Sequence, residues 1–208
     1  FDGPATIAGA PRRFWDGGIT GCNNPVLVAV TEAITLGHEP ADIAALSLGS
    51  ATVRLPLAEA GQPASPYLAQ PSGLGLLPDL RKLATAILDD PPDAATFIAH
   101  AMTGGLVGVP LPAQSRIVRL NPVIRPIADD QGTWTAPAGM TADQFARLCG
   151  IDMDAVEADD VDAIANYAAH WLADQAPNQP IRADGRTLEP EIGYGRCSEA
   201  MRAWQLVR

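Results

Sequence analysis

An α/β fold with a mainly parallel sheet is what this sequence predicts, and three observations predict it. Residues 25–36, PVLVAVTEAITL, form the best-marked helix of the chain. Residues 43–48, IAALSL, follow as a short and largely apolar run, the pattern of a strand buried on both faces of a parallel sheet. Further helical patterns then recur with another strand-like run between them, as they do in α/β domains.

The elements follow in order. Residues 1–11 are rich in Gly, Ala and Pro and read as loop. Phe14-Trp15 ends a short strand, and Asp16-Gly17-Gly18 is a turn whose glycines supply positive φ. The first helix has Asn24 at the N-cap, Pro25 at the first helical position and Gly37 just past the end. Residues 52–77 are full of Pro, Gly and Ser and predict a long loop or lid-like excursion. Residues 78–88 and 93–102 read as helices, 115–120 as a strand and 121–139 as loop. Thr141-x-x-Gln144 is a capping box opening a short helix that stops at Gly150. Residues 159–175 form a long amphipathic helix with Val161, Ile164, Ala165, Ala168 and Leu172 as its packing stripe. Residues 177–195 are loop, and 197–207 are a last helix. Three strands are few for 208 residues, and the chain opens at Phe1 without a Met. Both features lead to the expectation that sheet strands precede it.

Composition narrows the function classes. With 47% hydrophobic and 18% charged residues, the chain belongs among globular domains. The formal charge of −10 and the lack of a basic cluster argue against a nucleic-acid surface. Cys22, Cys149 and Cys197 have no CxxC spacing and are odd in number, so neither a disulfide framework nor a zinc site is expected. No apolar run approaches the roughly 20 residues of a membrane span.

The segment with chemical content is FWDGGITGCNNPVLVAVTEA, residues 14–33, with LSLGSA at 46–51. An acid on a glycine corner ahead of a helix start is a place where a hydrolase can hold a catalytic carboxylate. These residues resemble the C-terminal half of patatin-like phospholipases, which carry an Asp-Gly-Gly block running into Asn-Asn-Pro and a helix, then a strand ending in Ser-Leu-Gly-Thr-Gly. The match covers residues 14–50 best, with Ser50-Ala51 standing where Thr-Gly is usual, and VRLNP at 118–122 is a weaker echo.

The resemblance implies a three-layer α/β/α fold, with the N-terminal strands and the nucleophile elbow missing from this chain. Residues 1–208 are then the C-terminal portion of one domain: a matched core at 14–50, a loop or lid at 51–77 and a helix-rich tail at 78–208. It also implies a serine–aspartate dyad for lipid ester hydrolysis of the phospholipase A or lysophospholipase type. Asp16 is the dyad acid, and Gly17 and Gly18 bring its backbone close to the serine. No Gly-x-Ser-x-Gly occurs in the chain. Ser47 lacks the first glycine of that motif and matches the later family strand, so this chain alone is expected to be inactive.

No cofactor and no metal are expected. The implied partners are a lipid ester substrate at a membrane or micelle surface, and the missing N-terminal segment or a complementary chain. The implied location is cytoplasmic, with peripheral membrane contact left open. The alternative is a patatin-like or other α/β module that binds without catalysing. Asn23 and Asn24 read as capping and loop residues, and His38, His100 and His170 as surface or helix-end residues. The acidic pairs Asp89-Asp90, Asp129-Asp130 and Asp159-Asp160 read as solvated or helix-start charges. The runs 73–77 and 106–109 read as core before acyl-chain groove.

Overall fold

A computed structural model describes residues 5–12, 22–70, 75, 94–105, 115–137, 139–151, 155–181 and 192–207. Asp16, Gly17 and Gly18 lie outside these residues, as do the expected helix at 78–88, the run 106–109 and, apart from Gly75, the run 73–77.

The described elements are of the α/β class, with helices and four two-stranded sheets, two of them parallel and two antiparallel. Strands β1 (Ala5–Ile7) and β2 (Ala10–Arg12) pair antiparallel. The two-residue turn between them, Ala8-Gly9, has positive φ at both positions, as hairpin turns of this length require. This corrects the loop expected at the start of the chain.

Helix α1 (Val26–Thr35) ends as its sequence dictates. Gly37 takes φ +92°, its N–H reaches the Ile34 carbonyl, and His38 N–H reaches that of Ala33. Its start differs by one residue from expectation. Pro25 is the flanking residue, and Asn24 accepts from Val26 N–H at 3.3 Å. Strand β3 (Ala45–Leu48) follows, then β4 (Thr52–Val53). After the helix α2 at 94–102, strands β5 (Ile117–Leu120) and β6 (Val123–Ile124) return beside them.

β3 runs parallel to β5 in the register Ala45↔Ile117 to Leu48↔Leu120, and β4 parallel to β6 in the register Thr52↔Val123. Three residues separate β3 from β4 but only two separate β5 from β6. The extra residue makes a bulge at Gly49-Ser50-Ala51. Residues 177–179 close the other edge of the second strand. Val123 N–H donates to Pro177 O at 2.9 Å and Gln179 N–H to Asn121 O at 2.8 Å, around an antiparallel bridge between Pro122 and Asn178.

Side chains alternate across this ribbon. Ile117 packs with Val26 and Val30 of α1 and Ala95 and Ala99 of α2, while Val118 packs with Ala200 and Ala203 of α5 (Cys197–Val207). Helices therefore cover both faces. β3 is not buried on both faces as its composition suggested: Leu48 is 70% exposed.

The far end of the ribbon is capped by α3 (Ala142–Gly150) and α4 (Ala158–Leu172) around Ile124, Phe145, Leu148 and Tyr167. The capping box of α3 forms in full, with Thr141 and Gln144 exchanging side-chain and backbone bonds. The excursion after β4 folds back through Ala58 N–H to Ala69 O and sets Tyr67 against Phe145, ring centroids 5.4 Å apart. Residues 121–139, expected as loop, also hold the antiparallel pair β7 (Ile127–Ala128) and β8 (Trp134–Thr135). Their turn is set by Asp129, whose Oδ1 accepts Gln131 and Thr133 N–H, and by Gly132 at φ +78°.

Candidate functional site

Three segments separated in sequence meet at the carboxyl ends of β3 and β5, beside the start of α1. Asn24 lies one residue before Pro25, and its side chain is buried. Its Oδ1 accepts Val26 N–H, which fixes the orientation of the amide. The same oxygen accepts the Ser47 hydroxyl at 3.0 Å, and Nδ2 donates to Thr96 Oγ1 of α2 at 2.6 Å. Arg119 on β5 donates from Nη1 to Ser47 Oγ at 2.8 Å. A guanidinium, a hydroxyl, an amide and a second hydroxyl thus form one polarised chain within the protein.

The register explains why these groups meet. Ser47 and Arg119 are paired across β3 and β5, so both point to the face that α1 and α2 cover. A buried charge survives only with hydrogen-bond partners. Ser47 supplies one of them, and each such bond to a charged group stabilises by about 1.5–3 kcal/mol. Ser47 is buried in mid-strand with its hydroxyl committed to Asn24, an arrangement for holding structure and not for attacking a carbonyl.

A second network lies one layer along the ribbon. Asn121 Oδ1 accepts Ala51 N–H at 3.0 Å, and its Nδ2 donates to Thr52 Oγ1 at 2.8 Å and to Gln179 Oε1. Asn178 Oδ1 accepts Asn121 N–H at 2.9 Å, while its Nδ2 reaches the carbonyls of Arg119 and Tyr194. These amides satisfy the backbone of the bulge and of the closing segment. Gly49 has no room for a side chain there, since a Cβ would sit 2.1 Å from Asn121 Oδ1 and 2.7 Å from Arg119 Nη2. The glycine of Ser-Leu-Gly is therefore required by the approach of Arg119 and Asn121.

The expected catalytic residues Asp16, Gly17 and Gly18 lie outside the described residues; the chain leads from them into Asn24 within eight positions. Of the residues expected to be structural, Asn24 is at the centre of the site. Arg119 and Asn121 were noted only as part of a motif echo, although a charged residue inside the apolar run IVRL is itself a signal of a buried polar contact. Thr96 had no sequence signal. Asn178 and Gln179 stand between Pro177 and Pro180, a polar pair framed by helix-breaking residues.

The other candidates are held elsewhere. His100 is not at the surface: it is buried, with Nδ1 2.8 Å from Ser115 Oγ. Since the Ser115 hydroxyl donates to Ile117 O, Nδ1 carries the proton in that contact. Burial pushes the Cys149 thiol up to about 11, and burial with the Asp174 charge raises that of Cys197, so neither is a ready thiolate. Asp159 and Asp160 sit in the first turn of α4 and pair with Arg147 of α3. Among the described residues no group of three or more His, Cys, Asp or Glu is placed to hold a metal ion, and no helix is long and apolar enough to cross a membrane.

Neither family models, nor curated proteins, nor solved structures give a match to this chain.

Proposed function

We propose that this chain belongs to a serine lipid acyl hydrolase of the patatin-like type, acting on phospholipid or lysophospholipid esters, with Asp16 as the acid of a serine–aspartate dyad. The observation that carries the reading is the bond between Ser47 Oγ and Asn24 Oδ1. Asn-Asn-Pro and Ser-Leu-Gly were linked only by their spacing in the sequence, yet their side chains are direct partners, and Arg119 of the third segment, VRLNP, joins the same bond. The two motifs behave as one structural unit, which a chance likeness of short strings does not require.

The charge pattern is compatible with the role given to Asp16. The start of α1 is the positive end of a helix, and the Arg119 guanidinium lies on the same side of the ribbon. Both favour an ionised carboxylate in that neighbourhood. An ionised Asp16 takes the proton of the serine hydroxyl as its oxygen attacks the ester carbonyl. It returns that proton to the leaving alcohol oxygen, and water then cleaves the acyl-enzyme by the same route. The serine and the oxyanion-binding amides come from a segment other than these residues, because the chain contains no nucleophile elbow.

The test uses the protein with its upstream sequence. Fatty-acid release from phosphatidylcholine and lysophosphatidylcholine is measured for the native enzyme and for Asp16→Asn. We expect a loss of about 10^2- to 10^4-fold in kcat with an unchanged melting temperature. Undiminished hydrolysis by Asp16→Asn rules out the dyad. The isolated 208-residue chain is expected to take no fluorophosphonate label.

A further inference from the structure

Helix α4 carries two apolar faces, and the fold uses one of them. Ala163, Tyr167 and Trp171 turn toward the inner cluster around Phe145 and Leu148. Successive residues of a helix are about 100° apart, which places Val161, Ile164, Ala165, Ala168 and Leu172 on a second stripe, roughly a third of a turn away from the first. Val161, Ile164, Ala165 and Leu172 are exposed, and Ala168 is half-buried. From Val161 to Leu172 the stripe is about 16 Å long. Its larger side chains stand toward the two ends and the alanines lie between them, a saddle that lets a second helix cross at close range.

One edge of this stripe is acidic. Asp162 neighbours Ala165 on the helix surface and lines a hollow of about 590 Å3 between α3 and α4. The lining holds three carboxylates, from Asp143, Asp159 and Asp162, against the guanidinium of Arg147. Arg147 is committed to Asp159 at 3.4 Å and to Asp160 at 3.0 Å. Among the described residues neither Asp143 nor Asp162 has a basic partner. An apolar saddle beside such a hollow matches a ligand that is apolar on one side and cationic on the next. A second copy of the chain brings another net charge of −10 and sets acid against acid, and an anionic lipid surface is repelled in the same way. A helix with Lys or Arg beside its apolar stripe is complementary on both counts.

We propose that the outer face of α4 docks a basic amphipathic helix of another protein, with its apolar side on Val161, Ile164 and Leu172 and its basic residues in the hollow beside Asp143 and Asp162. Helices of this kind are held through apolar anchors at i, i+3, i+4 and i+7, and the stripe on α4 is long enough to receive them. The ammonium or guanidinium groups along the partner's edge supply the charge that Arg147 leaves unmatched. Apolar contact holds the partner, while charge speeds its arrival and sets its orientation, with the basic edge toward α3. The surface lies on α4, and the proposal does not depend on the dyad assigned to Asp16.

The probe is a fluorescent synthetic peptide of about five helical turns, made of Leu and Lys with Leu on one face, titrated with the full chain by anisotropy. Saturable binding with a Kd of about 10 μM or tighter is expected. The same peptide with Glu in place of Lys, and a reordered one with Leu on all faces, should each bind at least about tenfold more weakly. Ile164→Gln/Leu172→Gln should weaken binding at least about tenfold with an unchanged melting temperature, since both side chains are exposed. Asp143→Asn/Asp162→Asn should weaken it about threefold or more at low salt, an effect that fades by about 0.5 M. Glu32→Gln/Glu39→Gln removes the same charge from exposed positions on and after α1 and should leave binding unchanged. No saturable binding, undiminished binding by the stripe variant, or equal loss in the two acid variants overturns the proposal. Self-association at pH 7 that the stripe variant abolishes would assign the face to a second copy. Cosedimentation with phosphatidylcholine vesicles that it abolishes would assign the face to a lipid surface, and either result overturns the proposal as well.

Discussion

Ala51 carries the clearest local strain of the site. It has φ +120°, a conformation open to glycine and costly for a residue with a Cβ. The bulge forces it, because its N–H must reach Asn121 Oδ1 while the chain gains one residue on its partner strand. The patatin-like pattern has glycine at this position, so the conformation agrees with the motif where the sequence departs from it. Ala51→Gly should therefore stabilise the fold, by about 1 kcal/mol after the added entropy of the unfolded glycine is counted. Urea denaturation measures this as a higher midpoint at an unchanged slope; a lower midpoint contradicts the strain. Asp174 is a second residue at positive φ, with φ 58°. Its carboxylate caps α5 by accepting Ser198 N–H at 3.0 Å and the Ser198 hydroxyl. The hydroxyl bond first, then the backbone bond, holds its pKa below the ordinary 3.8. A lowered carboxylate pKa means that the stabilisation is present above pH 3.8 and is lost as pH falls through the lower folded value. Asp174→Asn should melt below the native protein at pH 7, and the gap should narrow as pH falls below 3.8. A gap that is constant across this range excludes the linkage.

Among the elements, α3 depends on Phe145, which is fully buried between Tyr67, Ile124 and the inner face of α4. Phe145→Ala removes the ring against which Tyr67 of the post-β4 excursion packs. A loss of about 3–5 kcal/mol is expected by chemical denaturation, and a loss under 1 kcal/mol would mean the cluster closes over the gap. The elements legible in the sequence were those with local chemistry at their ends: the Gly37 terminus of α1, the Thr141–Gln144 box of α3, and α5, which spans Cys197–Val207 as expected. The strands of two or three residues were not legible, since such short pairs carry no periodicity and depend on one turn each. The packing face of α4 was misread for a related reason. Ala163, Tyr167 and Trp171 turn inward, whereas Val161 is 50% and Leu172 59% exposed. The helix is apolar on several sides, so periodicity alone does not choose among them. Tyr167 decides the matter with a large ring and a hydroxyl bonded to Val123 O at 2.5 Å. At the site, Asn24 and Ser47 were visible as motif residues, but their mutual bond is a product of the β3–β5 register, which only long-range pairing fixes.

For the molecule as a whole, that misread face has a consequence. Val161, Ile164 and Leu172 form an apolar stripe on the outside of α4, and further along the surface Val156 and Leu206 are also exposed. At neutral pH the net charge of −10 keeps copies apart. That repulsion vanishes near the isoelectric point of about 4.6. Asp174 stays ionised at this pH, since its pKa is held below the ordinary 3.8, and α5 keeps its cap. With the repulsion gone, the exposed stripe is the surface expected to drive association at this pH. Light scattering should pass through a maximum near pH 4.6. Ile164→Gln/Leu172→Gln should lower that maximum without moving it, since the charge is unchanged while the stripe is broken. Equal scattering by the double variant at the same pH would place the adhesive surface elsewhere, and a maximum that shifts with the substitution would show that charge alone was not in control.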